Sequence, residues 1–98
     1  MPERKLPDRY RQNPEVAWRT LEGRSVLVNL DTQKTLLLNE VGSRAWEIFE
    51  ETHTIDEVAG EIETEFNAPA EIIRRDVMEF TAQLVEKGLL IKDAGNKK

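Results

Sequence analysis

Thr35-Leu36-Leu37-Leu38-Asn39-Glu40-Val41 is the stretch at which the hydrophobic pattern of the chain changes its period. Before Asn39, apolar and polar residues alternate, which is typical of half-buried strands. From Asn39 onward, apolar residues recur every three or four positions, which predicts amphipathic helices. The sequence therefore predicts strands in its first part and helices in its second.

Three strands are predicted on the N-terminal side of this stretch. The first two run through residues 16–21 and 25–30 and are separated by the turn signal Glu22-Gly23. The third, Thr35–Leu38, follows the polar break at residues 31–34. Consecutive strands with short connections form an antiparallel meander.

Three helices are predicted on the C-terminal side, each with its own start signal. Asn39 is a good N-cap for the first helix. Thr54, with Glu57 three residues later, forms a capping box for the second. Pro69 suits the first turn of the third helix, and Gly88 is its expected end.

A chain of 98 residues is one domain in which the helices cover one face of the sheet, an α+β fold. A small sheet beside three helices is the winged-helix layout. The domain is predicted over residues 14–92, and residues 89–91 are either a short final strand or a packed tail. Residues 1–13, which are polar and contain two prolines, are predicted as a flexible lead-in, and residues 93–98 as a polar tail.

The composition argues against a secreted, membrane-spanning or catalytic protein. The sequence has no cysteine, no signal peptide at its start and no apolar run near the roughly 18 residues that span a bilayer. It has no nucleophile motif, glycine-rich phosphate loop or metal-ligand spacing. We therefore expect a soluble, cytoplasmic, non-catalytic domain with no metal or cofactor.

The charge distribution disfavours nucleic acid as a partner. Residues 39–86 contain three basic residues against thirteen acidic ones. The predicted third helix has a net charge of −1, and the pair Arg74-Arg75 is the feature that favours phosphate contacts. A winged-helix DNA-binding regulator is therefore the alternative function, behind a peptide-binding module.

The third strand is the candidate binding element because it ends the meander. An unpaired strand edge offers N–H and C=O groups to another chain, the basis of strand addition. Alternation places at least two of Leu36, Leu37 and Leu38 in the core, so the edge itself matters more than these side chains. The same edge can instead pair with a second copy of the chain, which would give a homodimer.

The order and spacing of several segments resemble the PqqD family of pyrroloquinoline quinone (PQQ) synthesis. The resemblance covers about residues 12–92. The segments are Leu37-Leu38-Asn39-Glu40 running into Val41-Gly42-Ser43-Arg44-Ala45-Trp46, Thr54-Ile55-Asp56-Glu57-Val58, Glu65-Phe66-Asn67-Ala68-Pro69, Asp76-Val77 with Phe80, and Leu84 to Leu90 with Gly88.

The resemblance implies a non-catalytic winged-helix domain that binds the leader of a ribosomally made precursor peptide. Such a domain presents the leader to a partner enzyme, in PqqD's case a radical S-adenosylmethionine enzyme, and the product is PQQ or another modified peptide. In relatives the leader adds as a strand beside the third strand, in a groove shared with the third helix. Arg74 and Arg75 either flank that groove and meet an acidic leader or are surface charges. The implied peptide-binding residues are Thr35, Leu36, Leu37, Leu38, Ile72, Ile73, Arg74, Arg75, Asp76, Val77 and Phe80.

Overall fold

The computed structural model describes residues 8–93, which form three helices and six strands. The α+β class and the order of the three helices agree with the sequence prediction. The elements, in chain order, are β1 (Arg9–Gln12), β2 (Val16–Leu21), β3 (Arg24–Asn29), β4 (Lys34–Leu37), α1 (Glu40–Ile48), β5 (His53–Thr54), α2 (Ile55–Glu65), α3 (Ala70–Glu86) and β6 (Leu90–Asp93).

The predicted meander is the first of two sheets, with strand order β2-β3-β4 and antiparallel pairing throughout. Alternate residues of β3 point into the core, where Ser25, Leu27 and Asn29 are buried. The third strand begins at Lys34, one residue earlier than predicted, and its neighbour Leu38 is buried just beyond its end.

The second sheet has the order β5-β1-β6, and the sequence predicts neither it nor β1. The structure places a paired strand at Arg9–Gln12, which corrects the expectation of a flexible lead-in there. The strand is held because it pairs with β6 and β5 and because Tyr10 packs edge-on against Phe49. The rest of the predicted lead-in, residues 1–7, and residues 94–98 of the predicted tail lie outside the described residues.

The predicted start signals of α1 and α2 and the end signal of α3 are confirmed, whereas Pro69, expected in the first turn of α3, precedes that helix as its N-cap. The side chain of Asn39 accepts a hydrogen bond from the N–H of Gly42 at 2.7 Å. Both hydrogen bonds of the capping box are present: the Thr54 N–H donates to the Glu57 carboxylate, and the Glu57 N–H donates to the Thr54 hydroxyl oxygen. Gly88 follows α3 with a φ of +77°, a left-handed conformation that suits glycine and ends the helix. None of the helices in residues 8–93 has the length and apolar character needed to cross a membrane.

The core lies between the meander and the helices. Trp46 of α1 is fully buried and meets Trp18 of β2 edge-to-face, with ring centroids 6.1 Å apart. A buried hydrogen bond of 2.6 Å from the Ser25 N–H to the Ser43 Oγ also ties β3 to α1. These contacts fix α1 against the inner face of the meander, so the outer face stays open to solvent, where Leu37 is 54% exposed.

The ion pair between Arg44 of α1 and Glu65 of α2 predicts a pH-dependent part of the stability. The guanidinium donates to both oxygens of the carboxylate, at 2.8 and 3.0 Å, and this hydrogen bonding lowers the pKa of Glu65 from its ordinary value. A lowered folded-state pKa stabilises the fold above the unfolded-state pKa, and this contribution is lost as the pH falls through the folded-state pKa. Because both side chains are over a third exposed, we expect Glu65→Gln to cost only about 0.5 kcal/mol at neutral pH.

Urea unfolding of both proteins at about pH 7 and about pH 3 measures this effect. The difference between the two proteins should be present at the higher pH and smaller at the lower one, because the contribution is lost as the pH falls. Glu63→Gln is the matched control because Glu63 is exposed and makes no side-chain hydrogen bond or ion pair within residues 8–93. Equal losses for Glu65→Gln at both pH values would contradict the assignment.

Candidate functional site

The candidate site begins with the edge of β4 that faces away from β3. Within residues 8–93 this edge pairs with no other strand. The N–H of Leu38 donates to the carbonyl oxygen of Ser25 at 2.9 Å. In the register of β3 and β4, Leu36 and Leu27 are therefore the next pair of residues that exchange hydrogen bonds. Since bonding alternates along an antiparallel ladder, the N–H and C=O groups of Thr35 and Leu37 point outward. These are the groups an added strand would use.

Two cavities are lined by successive parts of α3, and the second of them also by β4; we call them together the groove. The α1 cavity, of about 360 Å³, lies between the start of α1 and the middle of α3. The β4 cavity, of about 480 Å³, lies between β4 and the C-terminal end of α3. The α1 cavity is lined by Asn39, Val41, Gly42, Ala45, Asp76, Val77, Glu79, Phe80 and Gln83, and the β4 cavity by Asn29, Thr32, Lys34, Thr35, Leu36, Glu86, Lys87 and Leu89.

Gly42 sets how closely α1 approaches α3 at the wall of the α1 cavity. A Cβ added at this position would lie 3.1 Å from Cε1 of Phe80 and 3.2 Å from Oδ1 of Asn39. Both distances are shorter than ordinary carbon contacts, so a side chain here would push the Phe80 ring or the capping amide aside. Glycine therefore lets the half-buried Phe80 ring form the wall of the cavity.

The structure brings five of the implied site residues to the groove and buries three in the core, with Val77 in both groups. Thr35 and Leu36 line the β4 cavity, while Asp76, Val77 and Phe80 line the α1 cavity. Leu38, Ile73 and Val77 are 6%, 3% and 1% exposed and belong to the hydrophobic core.

Leu37 and Ile72 lie outside both cavities but remain accessible. The side chain of Leu37 stands on the outer face of the meander, and only its backbone faces the open edge. Ile72 is 43% exposed and lies one helical turn before Asp76, on the same face of α3. It lies on the groove side of α3, nearer the N-terminus of the helix than either cavity.

The two implied arginines lie away from the groove, which favours the second of the two alternatives, that they are surface charges. Arg74 donates to Oδ1 of Asp56 at the start of α2, at 2.7 Å. Two residues of helix correspond to a rotation of about 200°, so Arg74 is on the opposite side of α3 from Asp76. Arg75 is exposed between these two sides and lines neither cavity. The middle of the groove face of α3 carries the carboxylates of Asp76 and Glu79.

Several groove residues were missed by the sequence prediction although a signal for them exists. Residues at helical spacing from Asp76, namely Glu79, Gln83 and Lys87, share its face of α3. Asn39, the predicted N-cap of α1, also forms part of the cavity wall together with Val41. Within residues 8–93, no group of three potential metal-ligating side chains occurs.

The comparisons with known proteins agree with this architecture. The family model described as coenzyme PQQ synthesis protein D (PqqD) matches residues 24–90. No curated protein matches the chain. The solved structure of TbiB1 in complex with the TbiA(beta) leader peptide is similar with a TM-score of 0.76 and 27% sequence identity, covering 90% of this chain and 99% of that one. Lasso peptide synthetase B1, complexed with the leader peptide, shares the fold with a TM-score of 0.72 and 20% identity, covering 84% and 96%.

Proposed function

This chain belongs to the PqqD family, and on that premise we propose that it binds the leader of a ribosomally made precursor peptide as a strand added to the open edge of β4. The outward backbone groups of Thr35 and Leu37 carry the proposal. They offer two N–H and two C=O groups with no strand beside them in the described part of the chain. Strand addition takes its affinity from such groups and its specificity from adjacent side-chain pockets.

The groove supplies the pockets that this mode of binding needs. The β4 cavity opens beside the edge, and the α1 cavity continues along α3 with apolar walls from Val41 and Phe80. TbiB1, at 27% identity, has been solved in complex with a leader peptide, which supports a peptide as the occupant. The proposed contact set is the backbone of β4 with Thr35, Leu36, Ile72, Asp76, Val77 and Phe80.

The chain acts, in this proposal, as a non-catalytic peptide chaperone in the cytoplasm. It holds the leader and presents the rest of the precursor to a radical S-adenosylmethionine enzyme. The family's role in coenzyme PQQ synthesis supports a pathway that makes PQQ or a related modified peptide. The peptide-binding domain spans residues 14–92 together with β1, which completes its second sheet.

An NMR titration tests the proposal directly. The ¹⁵N-labelled protein is titrated with the leader of the precursor encoded next to it, alone and with the neighbouring radical enzyme present. We expect the largest amide shifts in β4 and on the groove face of α3. A scrambled leader of the same composition is the control. Shifts confined to other surfaces, or no specific binding even with the enzyme present, would overturn the proposal.

Self-pairing of the same edge is the competing use of β4. Mass measurements over a range of protein concentrations, with and without leader, separate the two. If the leader is the occupant, the protein stays monomeric at concentrations where it binds the leader. A dimer that the leader cannot dissociate would assign the edge to a second copy.

A further inference from the structure

The charged side chains that line the α1 cavity are all acidic. Asp76 and Glu79 are the charged residues that line it, and they lie one helical turn apart on the same side of α3. Neither carboxylate makes an ion pair or a side-chain hydrogen bond within residues 8–93. Arg75, one turn before Glu79, forms no ion pair with it either. The other lining groups include the half-buried ring of Phe80 and the apolar side chain of Val41.

We propose, on the basis of the proposed function, that this end of the groove selects a leader with a lysine or arginine whose cationic group binds Asp76 and Glu79. A long basic side chain matches the cavity because its aliphatic stem packs on apolar surface while its head stays polar. Phe80 and Val41 provide that surface, and the two carboxylates stand beside it. A peptide carboxylate at the same place would meet two like charges.

The N-terminus of α1 also points toward this cavity, and its partial positive charge opposes the proposal only weakly. A helix terminus carries about half an elementary charge. Two carboxylates carry about four times as much, with the opposite sign. In addition, the Asn39 side chain already caps the N–H of Gly42 at 2.7 Å, so this amide is not free for an anion.

The β4 cavity, at the opposite end of the groove, has a net positive charge. This difference indicates where along the groove the basic residue of the leader lies. Lys34 and Lys87 line the β4 cavity with Glu86, giving a net charge of +1. From Asp76 to Lys87 the helix rises about 16 Å, which equals about five residues of an extended peptide. A leader strand is therefore bound in a register that places its basic residue at the α1 cavity, about five residues from the Lys34 end.

A selection from a display library of random 12-residue peptides tests this inference without knowledge of the natural leader. The wild-type protein and the double variant Asp76→Asn/Glu79→Gln are used as targets. We expect the peptides enriched on the wild type to share a lysine or arginine at one position. This preference should disappear on the variant. The enriched peptide should bind the variant about tenfold more weakly by fluorescence anisotropy, and replacing its basic residue with glutamine should add little further loss.

Glu63→Gln/Glu71→Gln is the matched control, since it changes the net charge equally at exposed sites outside both cavities. It should bind the enriched peptide like the wild type, and thermal melts should show all three proteins folded. Enriched peptides without a common basic residue, or equal binding by the Asp76 and Glu79 variant, would overturn the inference and leave peptide binding intact. A selection that enriches no peptide would overturn the proposed function as well.

Discussion

Replacing Leu37 with proline is expected to weaken leader binding at least about tenfold while the domain stays folded. Proline removes the outward N–H of Leu37, which an added strand would use, and leaves the peptide carbonyl opposite it unpaired. An unsatisfied polar group costs about 1–3 kcal/mol, and 1.4 kcal/mol corresponds to tenfold in affinity. The pairing of β4 with β3 does not use this N–H, so edge proline is tolerated. Isothermal titration calorimetry with the leader measures the loss.

Two variants separate the backbone effect from other causes. Leu37→Ala removes the exposed side chain but keeps the N–H, so its affinity should stay near that of the wild type. Leu36→Pro deletes a bond of the ladder to Leu27 and should destabilise the domain. If Leu37→Pro and Leu37→Ala bind the leader equally well, the open edge is not the docking element.

The largest expected effect on stability follows from truncating Phe49 to alanine. Phe49 is fully buried, its ring meets Tyr10 at 6.3 Å, and its carbonyl accepts the N–H of Gln12 at 2.9 Å. Truncation of a buried phenylalanine costs about 3–5 kcal/mol because it removes apolar burial and leaves a cavity. The total stability of a small domain is about 5–15 kcal/mol, so a large part would be lost. Urea denaturation monitored by circular dichroism measures the difference.

Leu21→Ala is the control for this prediction. Leu21 is a residue of the outer face of the meander and is 53% exposed, so its truncation should cost about 0.5 kcal/mol or less. A double variant of Tyr10 and Phe49 should lose less than the sum of the two single variants, because the two rings share one contact. A loss for Phe49→Ala no larger than that for Leu21→Ala would show that β1 does not pack as described.

The parts of the fold that could be predicted are those with local signals. The capping box of Thr54 and Glu57 lies within four residues, and the alternation in β3 is visible in the sequence alone. β1 has no such signal because Arg9 and Arg11 give it no apolar alternation. Its strand geometry comes from pairing with β6 at the other end of the chain, which a local pattern does not reveal.

The sequence predicts the strand of the candidate site, β4, but only part of the helix face of α3 that lies beside it. Alternation locates the edge strand, but the groove face of α3 depends on how the helix packs. The core stripe through Ile73, Val77 and Leu84 is flanked on one side by Asp76 and on the other by Arg74. The sequence is equally consistent with either flank facing β4. Tertiary packing decides the choice, and with it the charge that a leader meets.

The shortness of β4 limits how long a leader can remain bound. With only Thr35 and Leu37 facing outward, the strand offers four backbone hydrogen bonds, worth about 0.5–1.5 kcal/mol each. Their sum is about 2–6 kcal/mol, below the roughly 8 kcal/mol of a micromolar complex. Side chains in the groove must supply the remainder, so dissociation stays fast unless they fit well. If this edge is the docking element, the chain would hand over one precursor after another, because the edge that binds each leader would also release it.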